Sequence, residues 1–139
     1  MIHDGGCLCR AVRFSLSDEP IIARTCWCRV CQYLGAGGPT VNVCFPSQTL
    51  RTEGEVRWHG AMADSGSAMQ RGFCPTCGTG LFSKAESRPD LVFVRAGALD
   101  DPNLLAPSVT IWTKAAPAWA CIDPNLEQHD GQVPPVVLV

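Results

Sequence analysis

Apolar and polar positions alternate every second residue in several short stretches of this chain, the period that sorts side chains onto the two faces of a β-strand. RAVRFSL (10–16), TVNVCF (40–45) and LVFVRA (91–96) carry the alternation, and their β-branched and aromatic content suits a pleated, half-buried surface. Further strands are predicted over 56–59, 68–73, 79–83 and 109–113. Helical periodicity is scarce; the best candidate is a short turn over 47–51, with Ser47 capping after Pro46. The 13 glycines and 11 prolines are scattered, as turns between many short strands require. The end, 131–139, holds two prolines and an apolar run and is expected to lie extended along the body. The chain reads as mainly β, with few short helices.

No repeat, low-complexity segment or long linker divides the 139 residues, so a single domain over 1–139 is expected. Hydrophobic residues make up 46% and charged residues 17%, which gives a real core and excludes a disordered chain. Eleven basic against 13 acidic residues leave a net charge of −2, so no basic field draws nucleic acid. The start, MIHDGGCLCR, lacks the apolar segment of a signal peptide, and the apolar runs are too short to span a bilayer. A cytoplasmic location is expected, with neither membrane nor nucleic acid as partner.

Nine cysteines change the picture. An odd number with no export signal argues against a disulfide framework, and clustered thiols in a reducing compartment point to metal. Seven of the nine fall into three groups: Cys7 and Cys9; Cys26, Cys28 and Cys31; Cys74 and Cys77. CPTCG (74–78) has the form of a zinc knuckle, in which two sulfurs three residues apart reach one ion and the glycine permits the tight turn. Two completions are open. Cys28 and Cys31 can join Cys74 and Cys77 in a four-cysteine ribbon, or Cys7 and Cys9 can join them and leave Cys26, Cys28 and Cys31 as a separate trio. Four thiolates close a tetrahedral site, whereas three leave one position for water or substrate. Spacing does not choose.

GGCLCRAVRF (5–14), CWCRVC (26–31), GAGG (35–38), RGFCPTCGTGLF (71–82), AGALDDP (96–102) and IWTKAAPAW (111–119) occur in this order. On these motifs the chain resembles the glutathione-dependent formaldehyde-activating enzyme (GFA) family, related to centromere protein V and sharing the Mss4-like fold. The resemblance implies twisted antiparallel sheets stapled by zinc. It implies a structural Zn²⁺ on Cys7, Cys9, Cys74 and Cys77, and an open, catalytic Zn²⁺ site on Cys26, Cys28 and Cys31. Three thiolates repel one another without a cation, so this second ion is expected to be the more labile. The implied activity joins glutathione and formaldehyde to S-hydroxymethylglutathione, formally a carbon–sulfur lyase in the reverse direction. One position departs from the family: Trp27 stands where His is common between the first two cysteines of the trio, which changes local polarity.

An ion on three thiolates can take an incoming thiol in its fourth position and lower its pKa, ready to attack a carbonyl carbon. A small thiol, glutathione by resemblance, is the expected partner. Arg10, Arg13, Arg24 and Arg29 lie near the cysteines in sequence and can pair with substrate carboxylates or offset thiolate charge. Arg29, between two ligand candidates, is the expected substrate-binding arginine, and Trp27 the expected pocket wall. Asp100 and Asp101, in DDPN, fit a turn better than an acid–base pair. Cys44 and Cys121 read as small core side chains, and His3, His59 and His129 are not assigned as ligands. The alternative is a zinc-stabilised protein-binding module, which needs only the structural site.

Overall fold

The computed structural model describes residues 1–133. Strands β1 (His3–Gly6), β2 (Arg13–Leu16) and β5 (Leu50–Glu53) form an antiparallel sheet with β2 in the centre. A larger sheet takes β3 (Ile22–Cys26), β4 (Thr40–Pro46), β6 (Arg57–Met62), β7 (Ala68–Phe73), β8 (Gly80–Ala85), β9 (Leu91–Arg95), β10 (Val109–Ile111) and β11 (Glu127–Gln128). Their order across it is β11-β10-β3-β4-β9-β8-β7-β6. The expected mainly β, antiparallel architecture holds for every pair except those of β10, which runs parallel to β3 and β11. Strands β9 and β10 point the same way, so the chain must cross over β4 and β3 between them. It re-enters beside β3 with Ile111 level with Cys26.

Alternation along the strands decides which face is packed. In β9, Val92 and Val94 are buried, while Phe93 and Arg95 are only half-buried on the other side. Val12, Phe14 and Leu16 meet Val43, Phe45, Phe82, Val92 and Val94 in one apolar layer between the sheets, with Phe14 edge-on to Phe82 at 5.0 Å. Burying one such side chain contributes about 1.5–3 kcal/mol, so this layer aligns the small sheet on the large one. Gly5, opposite Phe14 across β1 and β2, has no room for a side chain: a Cβ there would sit 2.3 Å from the Ala98 carbonyl oxygen, in the 3-10 turn after β9, and 2.3 Å from the Phe14 ring.

The turn expected over 47–51 is a 3-10 turn at Ser47–Thr49, but Ser47 does not cap it. Its hydroxyl donates instead to the Pro89 carbonyl at 2.6 Å, joining two loops. In the tail, Trp112 N donates to Gly131 O (3.2 Å) and Trp112 Nε1 to Gln132 Oε1 (3.0 Å). The rest of that expected extended segment, 134–139, lies outside the described residues. No helix among the described residues is long and apolar enough to cross a membrane.

Candidate functional site

Cys7 and Cys9 sit in the turn between β1 and β2, and Cys74 and Cys77 in the turn between β7 and β8. Packing of the two sheets brings these turns together. All four sulfurs lie within 4.8 Å of one another, with Cys7–Cys9 at 3.6 Å and Cys9–Cys74 at 3.8 Å. Sulfurs about 2.3 Å from one ion at tetrahedral corners stand about 3.8 Å apart, so the spacing fits Zn²⁺. Val12 N donates to Cys7 Sγ at 3.2 Å and Cys77 N to Cys74 Sγ at 3.5 Å. Thr79 Oγ1 lies 3.1 Å from Cys77 Sγ and accepts from Leu8 N at 3.1 Å, which links the two turns. The Thr79 hydroxyl and backbone N–H hold the Cys77 thiol down to about 5. Gly78 takes φ +78°, which a side chain rarely adopts and the tight turn requires. The ribbon that would join Cys28 and Cys31 to Cys74 and Cys77 does not form; the seven cysteines divide into four and three.

Cys26 ends β3, Cys28 is the cap of helix α1 (Arg29–Leu34), and Cys31 lies in the first turn of that helix. Cys28 Sγ accepts from Cys31 N at 3.4 Å, the part usually played by a Ser or Asp oxygen. Buried Gln32 donates through Nε2 to Trp27 O (2.8 Å) and Ala115 O (2.9 Å), fixing the short helix against the chain that follows β10. The three sulfurs are buried and within 4.8 Å of one another. Hydrogen bonds from the Cys26 and Cys28 thiols hold Cys31 down to about 3, and the Thr40 hydroxyl and the Arg95 charge act the same way. Contacts with Cys28 and Cys31, and then burial, push Cys26 far up. One thiolate is therefore stable in the cluster, and ionising the others calls for a cation. Three sulfurs so placed can hold Zn²⁺ and leave a fourth position open.

These sulfurs line a cavity of about 240 Å³. Its floor is the outer face of the large sheet, with Arg24 on β3, Asn42 on β4, Phe93 and Arg95 on β9 and Arg71 on β7; Ile111 and Trp112 add an apolar wall. Of the four arginines near the cysteines in sequence, Arg24 alone reaches it. The two expected substrate-binding residues do not. Arg29 is exposed on α1, where it bonds Gln32 Oε1 and lies 5.2 Å from the Tyr33 ring centroid. Trp27 is buried edge-on to Trp119, 6.2 Å between centroids. Successive residues at a helix start point in different directions, so a ligand's sequence neighbours turn away from it.

Arg13 forms a forked pair with Asp100, and Asp101 Oδ1 accepts from Asn103 N at 2.9 Å, the turn expected there. Arg10 stands at φ 68° within the turn that carries Cys7 and Cys9. Cys44 is a core side chain whose thiol burial pushes up to about 11. Cys121 is exposed, contrary to expectation; its apolar neighbours belong to no strand that would turn it inward. Arg71 and Arg95 escaped the sequence reading, because only the strand order brings them to the cysteines.

A family model described as glutathione-dependent formaldehyde-activating enzyme matches residues 2–115. A Halomonas elongata protein named "Putative glutathione-dependent formaldehyde-activating enzyme" is 29% identical over 129 residues, covering 88% of this chain and 82% of that one. A crystal structure of a Rhodobacter sphaeroides protein shares the fold, with 24% identity and a TM-score of 0.55 over 72% of this chain and 92% of that one. All seven clustered cysteines fall inside the matched residues, and the chain belongs to the glutathione-dependent formaldehyde-activating enzyme family.

Proposed function

We propose that this single-domain protein is a zinc-dependent enzyme that joins a small thiol, glutathione in the family's reaction, to formaldehyde. Written in reverse, that reaction is a carbon–sulfur lyase. Cys7, Cys9, Cys74 and Cys77 are its structural ligands; Cys26, Cys28 and Cys31 hold the working ion. The observation that carries the reading is a buried three-sulfur cluster, one ligand short of a closed tetrahedron, lining a cavity of about 240 Å³. Thiols kept reduced in this way suit the cytoplasm.

Zn²⁺ on three thiolates supplies the charge that lowers the pKa of an incoming thiol and keeps it ionised. The chain's own residues do the rest. Phe93, Ile111 and Trp112 give the thiol's approach an apolar wall. The Thr40 hydroxyl and the Arg95 charge both favour the ionised Cys31 sulfur, and the Arg95 guanidinium offsets the cluster's negative charge. The thiol sulfur forms a bond to the carbonyl carbon of formaldehyde, the C=O π pair moves to oxygen, and the proton lost by the thiol ends on that oxygen. Trp27, at the position where His is common in the family, is packed against Trp119 and takes no part.

The test mixes zinc-loaded protein with glutathione and formaldehyde and follows adduct formation by NMR. A rate above the spontaneous one, lost in Cys28→Ser, is expected. No acceleration by protein whose ions are confirmed would remove the activity and leave a zinc-stabilised binding module.

A further inference from the structure

Three arginines face the cavity with no carboxylate within ion-pair distance among the described residues: Arg24, Arg71 and Arg95. Arg88, also on the cavity, is already paired with Asp90 at 2.8 Å. Burial disfavours the charges of Arg24 and Arg95, and the like charge of Arg71 adds to the cost at Arg95. The thiolate cluster answers for part of this. Three thiolates and one divalent cation carry a single net negative charge, and Arg95 is the arginine that feels Cys31, Cys26 and Cys28 together. Two positive charges remain, and Asp64, the carboxylate on the cavity lining, is within ion-pair distance of none of the three arginines. A fold that turns like charges toward one half-buried space is built around an anion that comes and goes.

Strand register says where that anion sits. Arg24, Asn42 and Arg95 are directly opposite one another across β3, β4 and β9. Cys26 and Thr40 form the row two residues along the same strands. Two strand residues span about 7 Å, which separates the arginine row from the sulfur row. The guanidiniums are held in place before any ligand arrives. Arg95 Nη1 donates to Asn42 Oδ1, and Asn42 Nδ2 donates to Thr40 Oγ1 at 2.9 Å. The Arg24 guanidinium lies 4.9 Å from the Phe93 ring centroid. Fixed forks of this kind match a carboxylate with two parallel N–H···O bonds.

We propose that the row Arg24–Asn42–Arg95 is a carboxylate subsite, so that the pocket selects thiols bearing a carboxylate over neutral ones. Arg71, one row further along the sheet, is placed for a second anionic group. The proposal rests on the thiol-binding reading above only for the position of the sulfur; capture of the carboxylate needs no ionised thiol.

The experiment uses S-methylglutathione, a thioether that keeps both carboxylates and cannot present a thiolate, together with its dimethyl ester. Binding to the zinc-loaded full chain is measured by calorimetry. The wild type should bind the acid at least tenfold more tightly than the diester, a comparison that needs no variant. Arg24→Gln and Arg95→Gln should each weaken acid binding at least tenfold. Arg29→Gln removes the same charge outside the cavity and should stay within twofold. Equal affinity for acid and diester, no binding of either, or equal losses in Arg24→Gln and Arg29→Gln would overturn the subsite. Selective acid binding without formaldehyde adduct would instead keep the subsite and reject the reaction.

Discussion

Replacing Thr40 by Val removes one hydroxyl beside the three-cysteine cluster and leaves the side chain's shape nearly unchanged. Thr40 lies opposite Cys26 in the β3–β4 register and is 7% exposed. Its oxygen accepts from Asn42 Nδ2 at 2.9 Å, and its hydroxyl favours the ionised Cys31 sulfur, an effect taken here as one hydrogen bond. A hydrogen bond to a charged group is worth about 1.5–3 kcal/mol. At about 1.4 kcal/mol per decade that is roughly a 10- to 150-fold loss of metal affinity at this cluster. Outer partners of metal ligands typically cost about 10- to 100-fold when removed, the same range. The assay titrates zinc-loaded protein with a chromophoric chelator at fixed pH and resolves the two ions by affinity. In Thr40→Val the weaker ion should leave at least tenfold more readily, while the ion on Cys7, Cys9, Cys74 and Cys77 is unmoved. A folded Thr40→Val in which both ions keep wild-type affinity would refute the hydrogen bond, and with it the tuning of Cys31.

Gly5→Ala would drive a methyl group into the Ala98 carbonyl and the Phe14 ring, each 2.3 Å away, so β1 must shift against β2 and the Ala96–Ala98 turn. A loss of about 1–3 kcal/mol is expected, seen as a lower urea midpoint with an unchanged slope; an unmoved midpoint would show that these neighbours yield freely. Cys44 gives a pH dependence. Below pH 9 its thiol is neutral folded and unfolded, but between 9 and about 11 only the unfolded chain ionises, so its contribution is lost as pH rises. The slope is at most about 1.4 kcal/mol per pH unit, and Cys44→Ala should flatten that part of the stability curve; identical curves would contradict the assignment. Cys121→Ser, at an exposed site apart from both clusters, should leave zinc content unchanged, and the loss of an equivalent would break the grouping of the cysteines.

Much of this was legible in the sequence, for physical reasons that also mark where legibility ends. The stretch 68–73 is found as β7 without adjustment, and 40–45 and 91–96 differ from β4 and β9 by one residue, because alternation survives wherever one face is packed. Strands β1 (HDGG) and β5 (LRTE) carry few apolar residues, and the apolar residues of β3 (IARTC) do not alternate, so no two-residue period announced any of the three. Helix α1 is six residues long and capped by a cysteine, so neither period nor an ordinary cap announced it. The knuckle spacing announced Cys74 and Cys77, yet their partners Cys7 and Cys9 lie across two sheets, and spacing alone left that choice open. Adjacency in sequence misled at Arg29 and Trp27. Arg71 and Arg95 sit on strands that read as ordinary half-buried ones, and only the register places them on the cavity floor.

The most direct test counts zinc per chain in the wild type and in Cys28→Ser, by atomic emission on protein purified with reductant. Two ions falling to one is the predicted result, since Cys28 belongs to the trio and not to the foursome. One ion that survives Cys28→Ser, or one that vanishes with it, would contradict a working site built on Cys26, Cys28 and Cys31.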